Sequence, residues 1–296
     1  MPAELLALAR GARKRSVFVV GTAKNVGKTV VTRSIARAAH AAGLTLGITS
    51  IGRDGERVDA SDGGAKPQLF LREGTVVATA RTLLPGSPAS EVLDISKHAT
   101  AAGNVVFARV RLPGRFEIAG PPTASGVRTV VERLFAFGCD HVVVDGAIDR
   151  LAALAGGDDA IVLATGAASG ATADEVVEEI AALAARLQLT RYDPREPFVR
   201  VDGALTADMA AAFVASGERR QIVVRDPTQV TISGRAFRGF VGRLRLRCGR
   251  PLHVVAATAC AFARDRSFSP RNLLCDIAAA TGLPAFDVYA GTAARP

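Results

Sequence analysis

The chain has 296 residues, 49% of them hydrophobic and 22% charged, a length and composition that can bury a sizeable core and that exclude a disordered chain. The net charge of +9 arises from 37 Lys and Arg against 28 Asp and Glu, but only 5% of residues are aromatic, so no base-stacking surface for nucleic acid is expected. No apolar run approaches the roughly 20 residues of a membrane helix, and the basic cluster of "MPAELLALARGARKRSVFVV" follows its apolar run, opposite to a signal peptide; the expected location is cytoplasmic, away from membranes.

In chain order, apolar β-type runs alternate with helical ones, the signature of an α/β protein with a mostly parallel central sheet. Strands are expected near 16–20, 44–50, 75–80, 104–111, 116–119, 141–145, 159–164, 198–202, 221–225, 252–257 and 286–289. Helices are expected over 28–42, 125–137, 172–188, 206–216 and 271–281. The stretch 52–122 holds no helical pattern and reads as a β-rich, antiparallel insertion. "LQLTRYDPREPF", residues 187–198, has the proline and charge density of a connector. The expected division is a nucleotide-binding domain over 1–190 and an arginine-rich α/β extension over 191–296. That last segment holds 16 Lys and Arg against 9 Asp and Glu, so most of the net charge lies there.

"GTAKNVGKTV", residues 21–30, follows the apolar run "SVFVV" and opens "VTRSIARAAH". A buried strand, a glycine loop and a helix starting at Gly-Lys-Thr are the parts a nucleoside triphosphate needs, because loop amides and the positive end of the helix face the anion. In that arrangement Gly21, Thr22, Lys24, Asn25, Val26 and Gly27 form the cradle. Lys28 reaches the β- and γ-phosphates, and the Thr29 hydroxyl binds Mg2+. The spacing is unusual. Gly21 and Gly27 are separated by five residues instead of four, with Thr22 where the first glycine normally stands. Lys24, four residues before Lys28, is either a second phosphate or partner contact or an exposed loop cation.

Using a bound triphosphate requires carboxylates for magnesium and water. "HVVVDGAIDR" is a hydrophobic strand ending in Asp145, and Asp54 lies in the acidic loop "IGRDGERVDASDGG" that follows strand 44–50. Thr29, Asp54 and Asp145 are therefore the candidate metal residues, and Lys28, Asp54 and Asp145 the candidate catalytic ones. "FVRVDGALTADM" repeats the strand-Asp-Gly-Ala pattern at Asp202, and both aspartates would sit at the carboxyl end of a strand, where open α/β sheets bind ligands.

The loop "FVVGTAKNVGKTV" resembles that of dethiobiotin synthetase, whose pattern Gly-Thr-Asp-Thr-x-Val-Gly-Lys-Thr has the same five-residue gap. Gly21, Thr22, Val26, Gly27, Lys28 and Thr29 match, while Ala23 and Lys24 depart. Asp145 stands where that family has a glutamate. The resemblance implies a three-layer P-loop NTPase fold and ATP as the nucleotide. The lysine that the biotin enzyme carries after its second strand is missing from "ITSIGRDGE", which turns the reading away from biotin synthesis.

A second resemblance covers residues 16–190. "TSIGRDGERVD", "KPQLFLREGTVVATARTLL", "IAGPP", "VVVDGAIDR" and "IVLATGAASG", with "SFSPRNLL" and "GLPAFDVY" in the tail, are similar to an accessory-protein family associated with adenosylcobalamin-dependent lysine and ornithine aminomutases. It implies a Mg-ATP-hydrolysing protein that reactivates or assists such a mutase. ATPases of this branch are often dimers, so a homodimer is the implied assembly. Two alternatives stand beside it: an ATP-dependent ligase joining a carboxylate or carbamate to an amine, and a nucleotide-gated binding module without appreciable turnover.

The remaining signals are weaker. Four cysteines and four histidines show no metal spacing. "RAFRGFVGRLRLRCGR", residues 235–250, has six arginines and no acid, and its period of two would put Arg243, Arg245 and Arg247 on one strand face, either as a docking stripe or as a charged edge strand. Gly166 ends a strand ahead of a helix that Thr172 or Asp174 would cap.

Overall fold

The computed structural model describes residues 2–11, 16–52, 68–146, 148–155 and 158–296. The protein is α/β, with a large, mostly parallel sheet and helices, and it divides into two compact units. One comprises residues 1–20 and 28–153, the other 21–27 and 154–296.

In the first unit, helix α1 (Pro2–Gly11) precedes strand β1 (Ser16–Gly21), whose "SVFVV" is buried throughout. A strand covered on both faces has no solvent side to alternate with, hence the unbroken apolar run. Helix α2 (Lys28–Ala41) follows the loop and buries Val31, Ile35 and Ala39 at helical spacing, with its inner side against β2 (Leu46–Ser50). Then come β3 (Leu69–Leu71), β4 (Val76–Ala80), β5 (Ser90–Thr100), β6 (Gly103–Val110) and β7 (Gly114–Phe116). Helix α3 (Ala124–Ala136) leads to β8 (His141–Asp145). The order β1-β8-β2-β4 is parallel throughout, and β6 and β5 extend it antiparallel, while β3 and β7 pair on their own. The β-rich character expected of 52–122 is met in its described part. Residues 116–119 differ from expectation: the strand ends at Phe116, because from Glu117 onward the chain bonds to the hydroxyls of Thr79 on β4 and Ser50 on β2 instead of to a strand backbone.

In the second unit, β9 (Ala160–Gly166) is followed by α4 (Ala173–Leu187), β10 (Phe198–Arg200), α5 (Ala207–Ala215), β11 (Gln221–Val224), α6 (Gly234–Val241), β12 (Arg245–Cys248), β13 (His253–Cys260), α7 (Pro270–Thr281), β14 (Ala285–Asp287) and β15 (Thr292–Ala294). Strands β9, β13 and β14 run parallel and β15 closes their edge antiparallel. A separate parallel sheet has the order β10-β11-β12 and a core of its own, drawn from residues 189–248 and including Val201, Ile222, Phe237 and Leu246. This small core begins at Leu189, and β13 to β15 return to the sheet that begins with β9.

Candidate functional site

The loop between β1 and α2 is shaped by two backbone conformations that most residues avoid. Asn25 has φ 59° and Gly27 φ 89°; Asn25 is the one non-glycine with positive φ among the described residues. Asparagine tolerates this region and glycine enters it without a Cβ penalty, so the turn into α2 is made by the two residue types best suited to it. Lys24 and Asn25 are exposed, and Val26 is buried as the loop's apolar anchor.

Residues of the second unit fix this loop from its amino end. The Thr22 amide donates to the Ala164 carbonyl at 2.9 Å. The Thr22 hydroxyl shares a hydrogen bond of 2.8 Å with that of Thr165, which in turn meets the Ser169 hydroxyl at 3.0 Å; Ser169 donates onward to the Gly166 carbonyl at 2.7 Å. Thr22, standing where a glycine is usual, therefore serves as the tether of the loop to the end of β9. At the other end, a Cβ on Gly27 would lie 3.5 Å from the Tyr289 ring and hydroxyl and 3.6 Å from Cys260. Tyr289 is held by Asp287, whose buried carboxylate accepts the Tyr289 and Ala290 amides at 2.8 and 3.0 Å. Thr165, Ser169 and Tyr289 had no motif of their own; only the tail segment "GLPAFDVY" pointed toward the last.

Lys28 and Thr29 form the first turn of α2, which contains no acidic residue. Helix α4 differs. Thr172 caps it by accepting the Glu175 amide at 3.2 Å, its first turn carries Asp174 and Glu175, and Glu175 accepts the Ala171 amide at 2.6 Å. Acidic side chains complement the positive end of α4, whereas the first turn of α2 carries Lys28 and Thr29 and no acid.

Asp145 ends β8 and is half-buried. The register pairs it with Val19 on β1 and with Ser50 on β2, so it stands at the carboxyl ends of three adjacent parallel strands. Its carbonyl accepts the Ile51 amide at 3.0 Å, and the next amide, of Gly146, donates to Val19 at 2.9 Å. The "IAGPP" segment is strapped alongside. Ser50 donates its hydroxyl to the Ile118 carbonyl at 3.2 Å and accepts the Gly120 amide at 3.0 Å, and Gly52 donates to the Pro121 carbonyl at 2.9 Å. Asp54 lies outside the described residues.

The arginine run 235–250 spans two elements. Arg235 and Arg238 lie on α6, and Arg235 pairs with Glu178 at 3.0 Å; Arg243 falls in the following turn, so only Arg245 and Arg247 share a strand face. Strand β12 is the edge of the three-stranded sheet, and Arg245 is ion-paired with Glu196. A stripe of three is thus corrected to a two-arginine edge, because the turn at Gly242 delays the strand to residue 245. Among the described residues no group of His, Cys, Asp and Glu has a metal-binding arrangement. The Cys248 thiol is pushed up to about 11, mainly by burial, and is unreactive there.

No helix of the described residues is long and apolar enough to cross a membrane. No protein-family model, curated protein or solved structure matches the chain.

Proposed function

We propose that the chain binds and hydrolyses Mg-ATP with the loop Gly21–Thr29 and, on the resemblance of residues 16–190, serves as an accessory ATPase of a cobalamin-dependent aminomutase. The observation that carries the nucleotide reading is the junction itself. A fully buried strand turns through left-handed Asn25 and Gly27 into a helix that opens with Lys28-Thr29 and has no acid in its first turn.

The loop amides and Lys28 would neutralise the phosphates, and their fixed orientation favours the more charged transition state over the ground state. Thr29 and Asp145, with Asp54 as a second carboxylate, would hold Mg2+, largely through waters. The metal, when bound, would supply positive charge that offsets that of the phosphates. Asp145 suits a metal-directed carboxylate because it is half-buried and the backbone of its two neighbouring strands holds it in position. Lys24, exposed four residues before Lys28, is suited to meet the γ-phosphate or a partner.

Hydrolysis could then bias a contact with the mutase only if the triphosphate and diphosphate forms bind its two states differently. ATP turnover by the full chain, with and without purified mutase subunits, tests this reading. Stimulation by the mutase is expected. Turnover that rises instead with a small carboxylate or amine would point to a ligase, and binding without turnover in either case would leave a nucleotide-gated module.

A further inference from the structure

A cleft of about 530 Å3 opens at the carboxyl end of the small sheet β10-β11-β12, lined by Tyr192, Arg200, Asp202, Arg225 and Arg250 together with backbone of the strand ends. The three strands are parallel, and their register sets Arg200 opposite Val223 and Val224 opposite Cys248. Beyond the strands the ladder continues, with Gly249 donating to Val224 and Arg250 to Arg225, both at 2.9 Å, so the three chain ends stay level. Ligands of parallel sheets bind at such carboxyl ends.

Two of the three guanidinium groups are oriented before any ligand arrives. Arg200 donates to the Tyr192 hydroxyl at 3.2 Å and lies over the rings of Tyr192 and Phe198 at 5.7 and 5.5 Å. Arg225 donates its Nε to Asp226 at 2.9 Å, and Asp226 is buried and occupied further by the Thr228 amide. The Arg250 guanidinium and the Asp202 carboxylate make no side-chain hydrogen bond or ion pair among the described residues, and both are exposed to the cleft. The lining therefore offers three arginines and one unspent carboxylate.

We propose that this cleft is a second binding site, separate from the loop at 21–29, for a small phosphorylated molecule that also carries a hydroxyl or amino group. Arginine forks match phosphate oxygens bidentately, and Arg225 and Arg250, on adjacent chain ends, can share one phosphate. A lone carboxylate among arginines would only weaken an anion site, unless the ligand brings a donor for it; Asp202 takes that donor. The Asp-Gly-Ala of residues 202–204 thus lies just beyond a parallel strand, as that of residues 145–147 does at the end of β8.

The test uses the full chain and ribose 5-phosphate, which carries both groups, in titration calorimetry beside inorganic phosphate. Saturable one-site binding is expected, tighter for the sugar phosphate. Arg250→Ala should weaken it at least tenfold, Asp202→Asn should remove the preference over inorganic phosphate, and Lys28→Ala should leave it within about twofold. Arg250 and Asp202 are exposed and Lys28 is partly so, and circular dichroism would verify that each variant is folded. No saturation up to about 1 mM overturns the proposal, as does binding that Arg250→Ala leaves intact or that Lys28→Ala abolishes. Equal affinity for the two probes in the native chain would overturn the role of Asp202.

Discussion

Two strands of this protein run into the same tripeptide, Asp-Gly-Ala, β8 ending on its aspartate and β10 two residues ahead of it, and the chain treats the two differently. Strand β8 lies between β1 and β2, so Asp145 and Gly146 are gripped from both sides by neighbouring backbone. Strand β10 is the edge of its sheet; Asp202 and Gly203 face open space and the arginines of the adjacent chain ends. A carboxylate held between strands suits a metal beside phosphates, whereas one in an arginine-lined cleft suits a hydroxyl or amine.

The largest expected difference is functional. Asp145→Asn should lower Mg-dependent ATP hydrolysis about 100-fold while leaving nucleotide affinity within about threefold, since the amide no longer offsets metal charge. Asp202→Asn should leave hydrolysis unchanged. Steady-state turnover of the two variants measures the contrast, and equal losses would erase it.

A pH effect separates the two strands next. His141, at the start of β8, is buried, its Nε2 has no partner among the described residues, and its pKa is lowered to about 4 by burial first and the Arg10 charge second. Strand β10 starts with Phe198 and has no such group. With an unfolded value of 6.5, the unfolded chain binds more protons between pH 6.5 and about 4, so stability is full above that window and falls as pH drops through it. The loss should approach about 3 kcal/mol, and His141→Leu should remove that part of the slope in urea unfolding followed at several pH values.

Glycine to alanine gives a smaller and more local contrast. A Cβ on Gly146 would lie 2.7 Å from the Val19 carbonyl oxygen, so the backbone must shift and about 2 kcal/mol should be lost. On Gly203 it would meet nothing within 4 Å, and the cost is only that of φ 92°, about 1 kcal/mol. Thermal unfolding of both variants measures the difference. Smallest of all, replacing Arg245 and Arg247 by Ser on the edge strand should change stability by about 0.5 kcal/mol or less, because exposed ion pairs contribute little.

Much of this was legible in the residues. The unbroken apolar run of β1, the helical spacing of Val31, Ile35 and Ala39 in α2, and the strand ending at Asp145 each follow from burial alone. Strand β5 escaped notice because it is charged and largely exposed and its pairing shifts register twice, which breaks the period of two. Helix α6 contains Gly234 and Gly239, poor helix formers; tertiary contacts override them, with Phe237 fully buried and Arg235 paired to Glu178. Helix α1 is a short terminal element whose Leu5, Leu6 and Ala9 are buried. The tether from Thr22 through Thr165 to Ser169 joins residues more than a hundred positions apart, a pairing that local spacing does not report. The cleft at Arg225 and Arg250 is likewise a product of strand register, not of a motif.

Residues 21–29 are proposed to cradle a nucleoside triphosphate. Titration calorimetry of Mg-ATP into the full chain and into Lys28→Ala tests it most directly. Saturable one-site binding is expected in the native chain, with an affinity reduced about 100-fold or more in the variant. Absence of binding to the native chain, or equal affinity in the two proteins, would contradict it.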